Sequence, residues 1–285
     1  LGKLAMNDEN RTAIARAGCI EAVLAGMGAH GSIAAVQEQG CRALWILTLN
    51  TDENKTAIAR AGGIEAVVVG MGAHRSSVLV QEQGCLALGN LSSNSENTTA
   101  IARAGGIEAV VVGMGAHGSI AEVQRLGCGV LANLAMNDAN RTAIARAGGI
   151  EAVVVGMGAH RSSVLVQEQG CLALGNLASN NDENRTAIAR AGGIEAALAG
   201  MGEHGSIAAV QEMGCRALWI LTFNNDANKT AMARAGGVEA VVGGMGAHRL
   251  IAGVQEQGCL ALGRLSMNDY SNTMAIARAG GIEAV

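Results

Sequence analysis

The sequence has no proline, one phenylalanine, one tyrosine and two tryptophans, so aromatic residues make up 1% of its 285 residues. Charged residues are also scarce, at 15% against about 25% in ordinary globular domains. A conventional enzyme of this length seldom draws on so narrow an alphabet, and the usual cause is internal repetition. The formal net charge of −4 leaves no broad basic stripe to displace phosphate counterions, so nucleic acid is not expected as a partner. No uninterrupted apolar run reaches the roughly 18 residues of a membrane span. Candidates such as Val67–Ala73 are short and broken by glycine, and no membrane insertion is expected. No signal peptide is recognisable, and Leu1 falls inside a sequence pattern, which predicts an internal piece of a longer protein.

Apolar residues, at 49%, and 41 glycines fill the space left by these absences. They recur at fixed intervals. Aligned on Ala-Arg-Ala-Gly, the glycine falls at Gly18, Gly62, Gly105, Gly148, Gly192, Gly236 and Gly280, spacings of 43 or 44 residues. All the histidines follow the same period (His30, His74, His117, His160, His204, His248). The chain reads as one repeat array over 1–285, with full units at 8–51, 52–94, 95–137, 138–181, 182–225 and 226–268 and partial units at 1–7 and 269–285. A finer alternation after the histidine (Gly31, Gly118, Gly205 against Arg75, Arg161, Arg249) points to duplication of unit pairs.

Each unit predicts three helices. In 182–225, capping oxygens from Asn-Asp-Glu-Asn precede a short helix at Arg185–Ala191, which Gly192-Gly193 ends. A second helix follows at Ile194–Gly202, then a loop at Glu203–Ser206. A long third helix spans about Ile207–Phe223, with Ile207, Val210, Cys215, Leu218 and Leu221 at helical spacing. No segment alternates as a strand would, so the class is all-α.

A unit of this length, with one short and two longer helices and a glycine break between the first two, resembles the armadillo repeat. The stretch Gly-Cys-Leu-Ala-Leu-Gly-Asn-Leu-Ala at 170–178 is similar to that family's third-helix signature, and Gly192-Gly193-Ile194-Glu195-Ala196 to the start of its second helix. The resemblance runs from Leu1-Gly2-Lys3-Leu4 to Gly281–Val285; two-helix HEAT units are the runner-up. It implies a right-handed α-solenoid whose third helices line a concave groove. Periodicity by itself implies a solenoid in which each unit buries its apolar faces against its neighbours.

Cys41, Cys85, Cys128, Cys171, Cys215 and Cys259 share one position in the third helix. Neighbouring helices roughly 8–10 Å apart lie beyond the ~7 Å Cα limit of a disulfide. No Cys/His group has zinc spacing, so these are expected to be reduced core thiols of an intracellular protein, cytoplasmic or nuclear, with no metal and no cofactor. The histidines are expected at second-helix exits, where they cap carbonyls. No nucleophile stands beside a base, so a catalytic role is not expected. Mid-helix Gly40, Gly84, Gly127, Gly170, Gly214 and Gly258 each cost up to ~1 kcal/mol, which close backbone approach between helices would offset.

The functional expectation lies in the third helices. The armadillo resemblance implies that one asparagine per third helix hydrogen-bonds the backbone of an extended peptide. That position reads Lys3, Ile46, Asn90, Asn133, Asn176, Ile220 and Arg264. Importin-like members carry tryptophan four residues earlier; here Arg42, Leu86, Gly129, Leu172, Arg216 and Leu260 stand there, a departure that argues against a basic localisation signal as the ligand. One turn further back, Gln39, Gln83, Gln169 and Gln257 form a second amide row. Trp45 and Trp219 stand one residue before the missing asparagines, in the sets Glu38–Arg42–Trp45 and Glu212–Arg216–Trp219. Spacings i, i+4 and i+7 would allow an ion pair and an arginine–ring contact, on a partner-facing surface or in a gap between units.

The expected function is a non-catalytic scaffold that binds a protein or extended peptide along this groove. A structural or assembly subunit using its rims and ends is the alternative. A consensus-built repeat protein is a further one, against which the irregular linkers 50–54, 94–98 and 268–273 speak. A lyase built on helical repeats comes last.

Overall fold

The computed structural model describes residues 7–267 and 270–279; the stub with Lys3, the residues 268–269 and the final Gly280–Val285 lie outside the described residues. All regular elements among the described residues are helical, and they recur as three-helix repeats. The fold is an all-α solenoid. Two compact units divide it, Leu1–Ala147 and Gly148–Val285. The first holds the third helices Ala34–Thr48, Val78–Leu91 and Ala121–Leu134; the second holds Val164–Ala178, Ala208–Leu221 and Ala252–Ser266. Within each unit, successive third helices pack directly on one another.

The repeat at 182–225 shows why the sequence folds this way. Its first helix is Asp182–Arg190, starting three residues ahead of expectation, because Asn181 alone is the cap: its side chain accepts the Asn184 N–H. Gly192 turns the chain with φ 86°, a left-handed conformation that a Cβ disfavours. The second glycine is fixed by contact instead. A Cβ on Gly193 would stand 2.9 Å from the Ile188 carbonyl oxygen. Where Cys19 replaces that glycine, Gly18 still turns the chain, at φ 81°. The variation between 43 and 44 residues also has a local cause. Asn50, Asn180 and Asn224 sit at φ of 53°, 49° and 49°, an extra left-handed residue in the longer junctions that asparagine tolerates.

Each helix end in these junctions leaves backbone carbonyls in the interior, and buried carboxamides satisfy them. Gln81 Nε2 donates to Met71 O (2.9 Å) and His74 O (3.1 Å), closing the second helix of its repeat. Gln37, Gln124, Gln167, Gln211 and Gln255 do the same. Asn140 Nδ2 donates to Leu134 O and to Thr98 O of the preceding repeat, both at 3.2 Å. Asn54 and Asn228 bridge repeats likewise. The histidines add a third link between repeats. His74, His117, His204 and His248 place Nε2 2.8–2.9 Å from the carbonyl of Gly31, Arg75, Arg161 and Gly205.

The mid-helix glycines are explained by a side chain, not by the backbone approach expected from sequence. A Cβ on Gly127 would lie 2.5 Å from Met114 Cγ and 2.6 Å from its sulfur; Gly84 receives Met71 and Gly170 receives Met157 in the same way. The methionines are the knobs and the glycines the holes. Beside them lie the cysteines, with Cys41, Cys128, Cys171 and Cys215 fully buried. Burial pushes the thiols of Cys41, Cys85, Cys171 and Cys215 up to about 12. The arginine–glutamate rows at Arg60 and Glu65 or Arg103 and Glu108 form no ion pair among the described residues; Arg16 and Glu53 meet across repeats at 3.4 Å, both exposed.

By length and composition one segment, Glu9–Ala29, could cross a membrane, with a mean hydropathy of 1.2. It contains Gly18 at φ 81°, and the matching pair Asp52–Arg60 and Gly63–Ala73 bends by 70°.

Two outcomes follow from this packing. Gly127→Ala should destabilise the chain by about 1–3 kcal/mol, because the new methyl displaces Met114. Gly243→Ala, at an exposed helical site with nothing within 4 Å of a Cβ, should stabilise it by up to ~1 kcal/mol. Urea denaturation of both variants checks the pair, and equal effects would contradict it. The buried thiols should label slowly in the native chain and fully in denaturant. Their folded values are raised, so their stabilising contribution is complete below about pH 9 and is lost as pH rises from 9.0 toward 12. Melting temperatures measured across that range should fall.

Candidate functional site

The third helices turn a partly exposed polar face away from the core. In the first compact unit this face carries Glu82, Gln83, Leu86 and Asn90 on Val78–Leu91, then Glu122, Arg125 and Asn133 on Ala121–Leu134. The two asparagines hang on the preceding repeat. Asn90 Nδ2 donates to Thr48 Oγ1 (3.3 Å), and Asn133 Nδ2 donates to Gly89 O and Ser92 Oγ (both 3.2 Å). Both donors are therefore engaged within the stack, and each Oδ1 is left as an acceptor. The neighbouring repeat takes both N–H groups of Asn133 but only one of Asn90.

Asn176, in the second unit, differs. It is 5% exposed, and its Oδ1 accepts Arg216 Nη2 at 2.9 Å. The guanidinium lies across Gly175, where a Cβ would sit 3.4 Å from Nη1. That Nη1 is buried without a hydrogen-bond partner, and burial lowers the Arg216 pKa below its ordinary value. Trp219 Nε1 donates to Gln257 Oε1 at 2.7 Å. The expected Glu212–Arg216 ion pair and Arg216–Trp219 contact are thus replaced, because the asparagine of the preceding third helix and the glutamine of the following one take the two groups. The ring that does receive cations is Phe223, with Arg264 at 4.1 Å and Arg185 at 5.4 Å from its centroid.

At the other tryptophan, Arg42 is exposed and Trp45 half-buried, with no Glu38–Arg42 ion pair; Gln39 donates to Glu38 instead (2.8 Å). Gln83, the counterpart of Gln257, keeps a buried Oε1 without a partner, and Gln169 is half-buried. Glu122 is held below its ordinary pKa by the hydrogen bond from Arg125 (Nε to Oε2, 2.8 Å). Glu82 is raised, first by burial and then by the Glu122 charge.

A cleft of about 310 Å³ opens beside Asn133, lined by Ser93, Thr98, Met136 and Asn137 among others. Sequence reasoning passed over these residues, although the irregular linker 94–98 marked the place. No three His, Cys, Asp or Glu side chains among the described residues come together as metal ligands.

The sequence matches no protein-family model and no curated protein. Among solved structures, an engineered protein superposes with a TM-score of 0.85 at 32% identity, over 97% of this chain and 65% of its own. The chain thus spans less than the full length of that protein. A second engineered protein gives a TM-score of 0.76 at 28% identity, over 86% of this chain and 96% of its own. A designed armadillo repeat protein in complex with the peptide (KR)4 gives 0.73 at 19% identity, over 86% and 98%, a likeness of fold.

Proposed function

The chain has the armadillo-like repeat fold, and we propose that it is a non-catalytic scaffold whose third-helix face in the first compact unit binds an extended polypeptide. The observation that carries this reading is the state of Asn90 and Asn133. Their Nδ2 groups are tied to the preceding repeat, which fixes the carboxamide planes, and each Oδ1 remains an acceptor one repeat from the next. A backbone N–H is the donor every peptide offers at regular intervals. Gln83 lies seven residues before Asn90 on the same helix, but its Oε1 is buried and stands outside the acceptor row. Support also comes from the designed armadillo repeat protein that takes the (KR)4 peptide.

In the second unit Asn176 is occupied by Arg216, and Trp219 by Gln257, so Asn176, Arg216, Trp219 and Gln257 hold that face together. The assembly alternative draws on the second helices, where Val69 and Val155 are 68% and 66% exposed.

A panel of fluorescent octapeptides with alternating sequences, (KR)4 included, tests the proposal by anisotropy. The double variant Asn90→Ala, Asn133→Ala removes two hydrogen bonds of about 0.5–1.5 kcal/mol each. It should weaken every peptide that binds by a similar factor, about tenfold, because the contact is to backbone. Unchanged binding in the double variant, or no binding by any peptide to the parent, would overturn the assignment.

A further inference from the structure

The cleft beside Asn133 has a small residue, Ser93, in its wall. Ser93 stands where four repeats carry the larger Leu49, Met136, Phe223 and Met267 and one repeat carries Ser179. Its lining joins hydroxyls and carboxamides to the Met136 side chain, with no ionised group, and most of its hydroxyl hydrogens are already committed, that of Ser95 excepted. Ser93 Oγ–H donates to Asn90 O (2.8 Å) and Thr98 Oγ1–H to Ser95 O (2.7 Å). Both oxygens therefore face the cleft as acceptors. Asn133 adds the second lone pair of its Oδ1, the first being the backbone acceptor, while its Nδ2 is held by Gly89 O and Ser92 Oγ. Asn137 is the reverse case: its Oδ1 caps the next helix by accepting Ala139 N–H (3.0 Å) and Asn140 N–H (3.2 Å), which leaves Nδ2 as a donor.

Several acceptors, two donors (Asn137 Nδ2 and the Ser95 hydroxyl) and no charge select a particular ligand group. A carboxylate would meet oxygen lone pairs. An ammonium would lose hydration without gaining a counter-charge. An apolar group would leave the acceptors unpaired. A primary carboxamide carries two N–H donors and one acceptor oxygen, which is the complementary set. Met136, 67% exposed on the rim, suits the methylenes of a longer side chain. We propose that this cleft is a subsite for a glutamine side chain of the bound polypeptide. The inference rests on the reading that an extended polypeptide lies along the third-helix face: the asparagines take its backbone, and the cleft selects one of its side chains.

The test uses the full chain and four labelled octapeptides, alternating threonine with glutamine, glutamate, lysine or leucine. The glutamine peptide should bind about tenfold more tightly than the other three, since a site built to hydrogen-bond a group rejects analogues that lack it. Ser93→Leu should fill the cleft with the residue that the first repeat carries at Leu49 and bring the four affinities within about twofold of one another. Its melting temperature should stay near the parent's, because the Ser93 side chain is exposed and bonds only its own helix. Equal affinities for all four peptides, or a glutamine preference that survives Ser93→Leu, would overturn the subsite while leaving the backbone reading intact. Failure of all four to bind would overturn both.

Discussion

A helix that ends in the interior must leave its last carbonyls satisfied, and everything else in this fold follows from how that is done. Each repeat turns two carbonyls near the end of its second helix, such as those of Met71 and His74, toward the third helix. Gln81 and its equivalents reach back to two of those carbonyls, and Asn140 and its equivalents close the end of the third helix while touching the previous repeat. Losing a partner to a buried carbonyl costs about 1–3 kcal/mol, so these carboxamides fix where each helix stops. They also fix how close the next repeat comes. Gly113 lies against Gln81, where a Cβ would stand 2.6 Å from Oε1, so the glycine row exists partly to accommodate the glutamine row.

Once the repeats are registered in this way, the third-helix face presents side chains at a constant interval, and small sequence changes on it have chemical consequences. Asn90 and Asn133 keep open acceptors. Asn176, the same residue at the same position, loses its acceptor because Arg216 follows it in place of Gly129 or Leu172. Trp219 donates to Gln257. The first compact unit thus holds open hydrogen-bonding capacity, and the second holds an internally satisfied face reinforced by Phe223 between two arginines.

Much of this fold was legible because its strongest signals are local. The glycine period and apolar spacing gave three helices per repeat, and the left-handed glycine was readable from Ala-Arg-Ala-Gly. The site was less so. In Gln81-Glu82-Gln83 the two amides look alike, yet the first is buried as a helix latch and the second is half-buried and closes no helix; which is which depends on where the second helix ends. The methionine seated on each mid-helix glycine was missed because the pair is split between two helices. The Asn176–Arg216 contact spans 40 residues, and no spacing rule connects them. The cleft at Asn133 depends on which hydroxyl hydrogens are already engaged, which only coordinates reveal.

The central claim, that buried carboxamides hold the repeats in register while outward ones stay available, can be measured directly. Hydrogen exchange of side-chain amide groups, followed by NMR on the native chain, separates the two classes. Gln81, Gln124, Gln167 and Gln211, with Asn97, Asn140, Asn184 and Asn228, should exchange far more slowly than Gln39 and Gln169. Exchange of all carboxamides at the rate of a free side chain, in a chain that remains helical, would contradict the account.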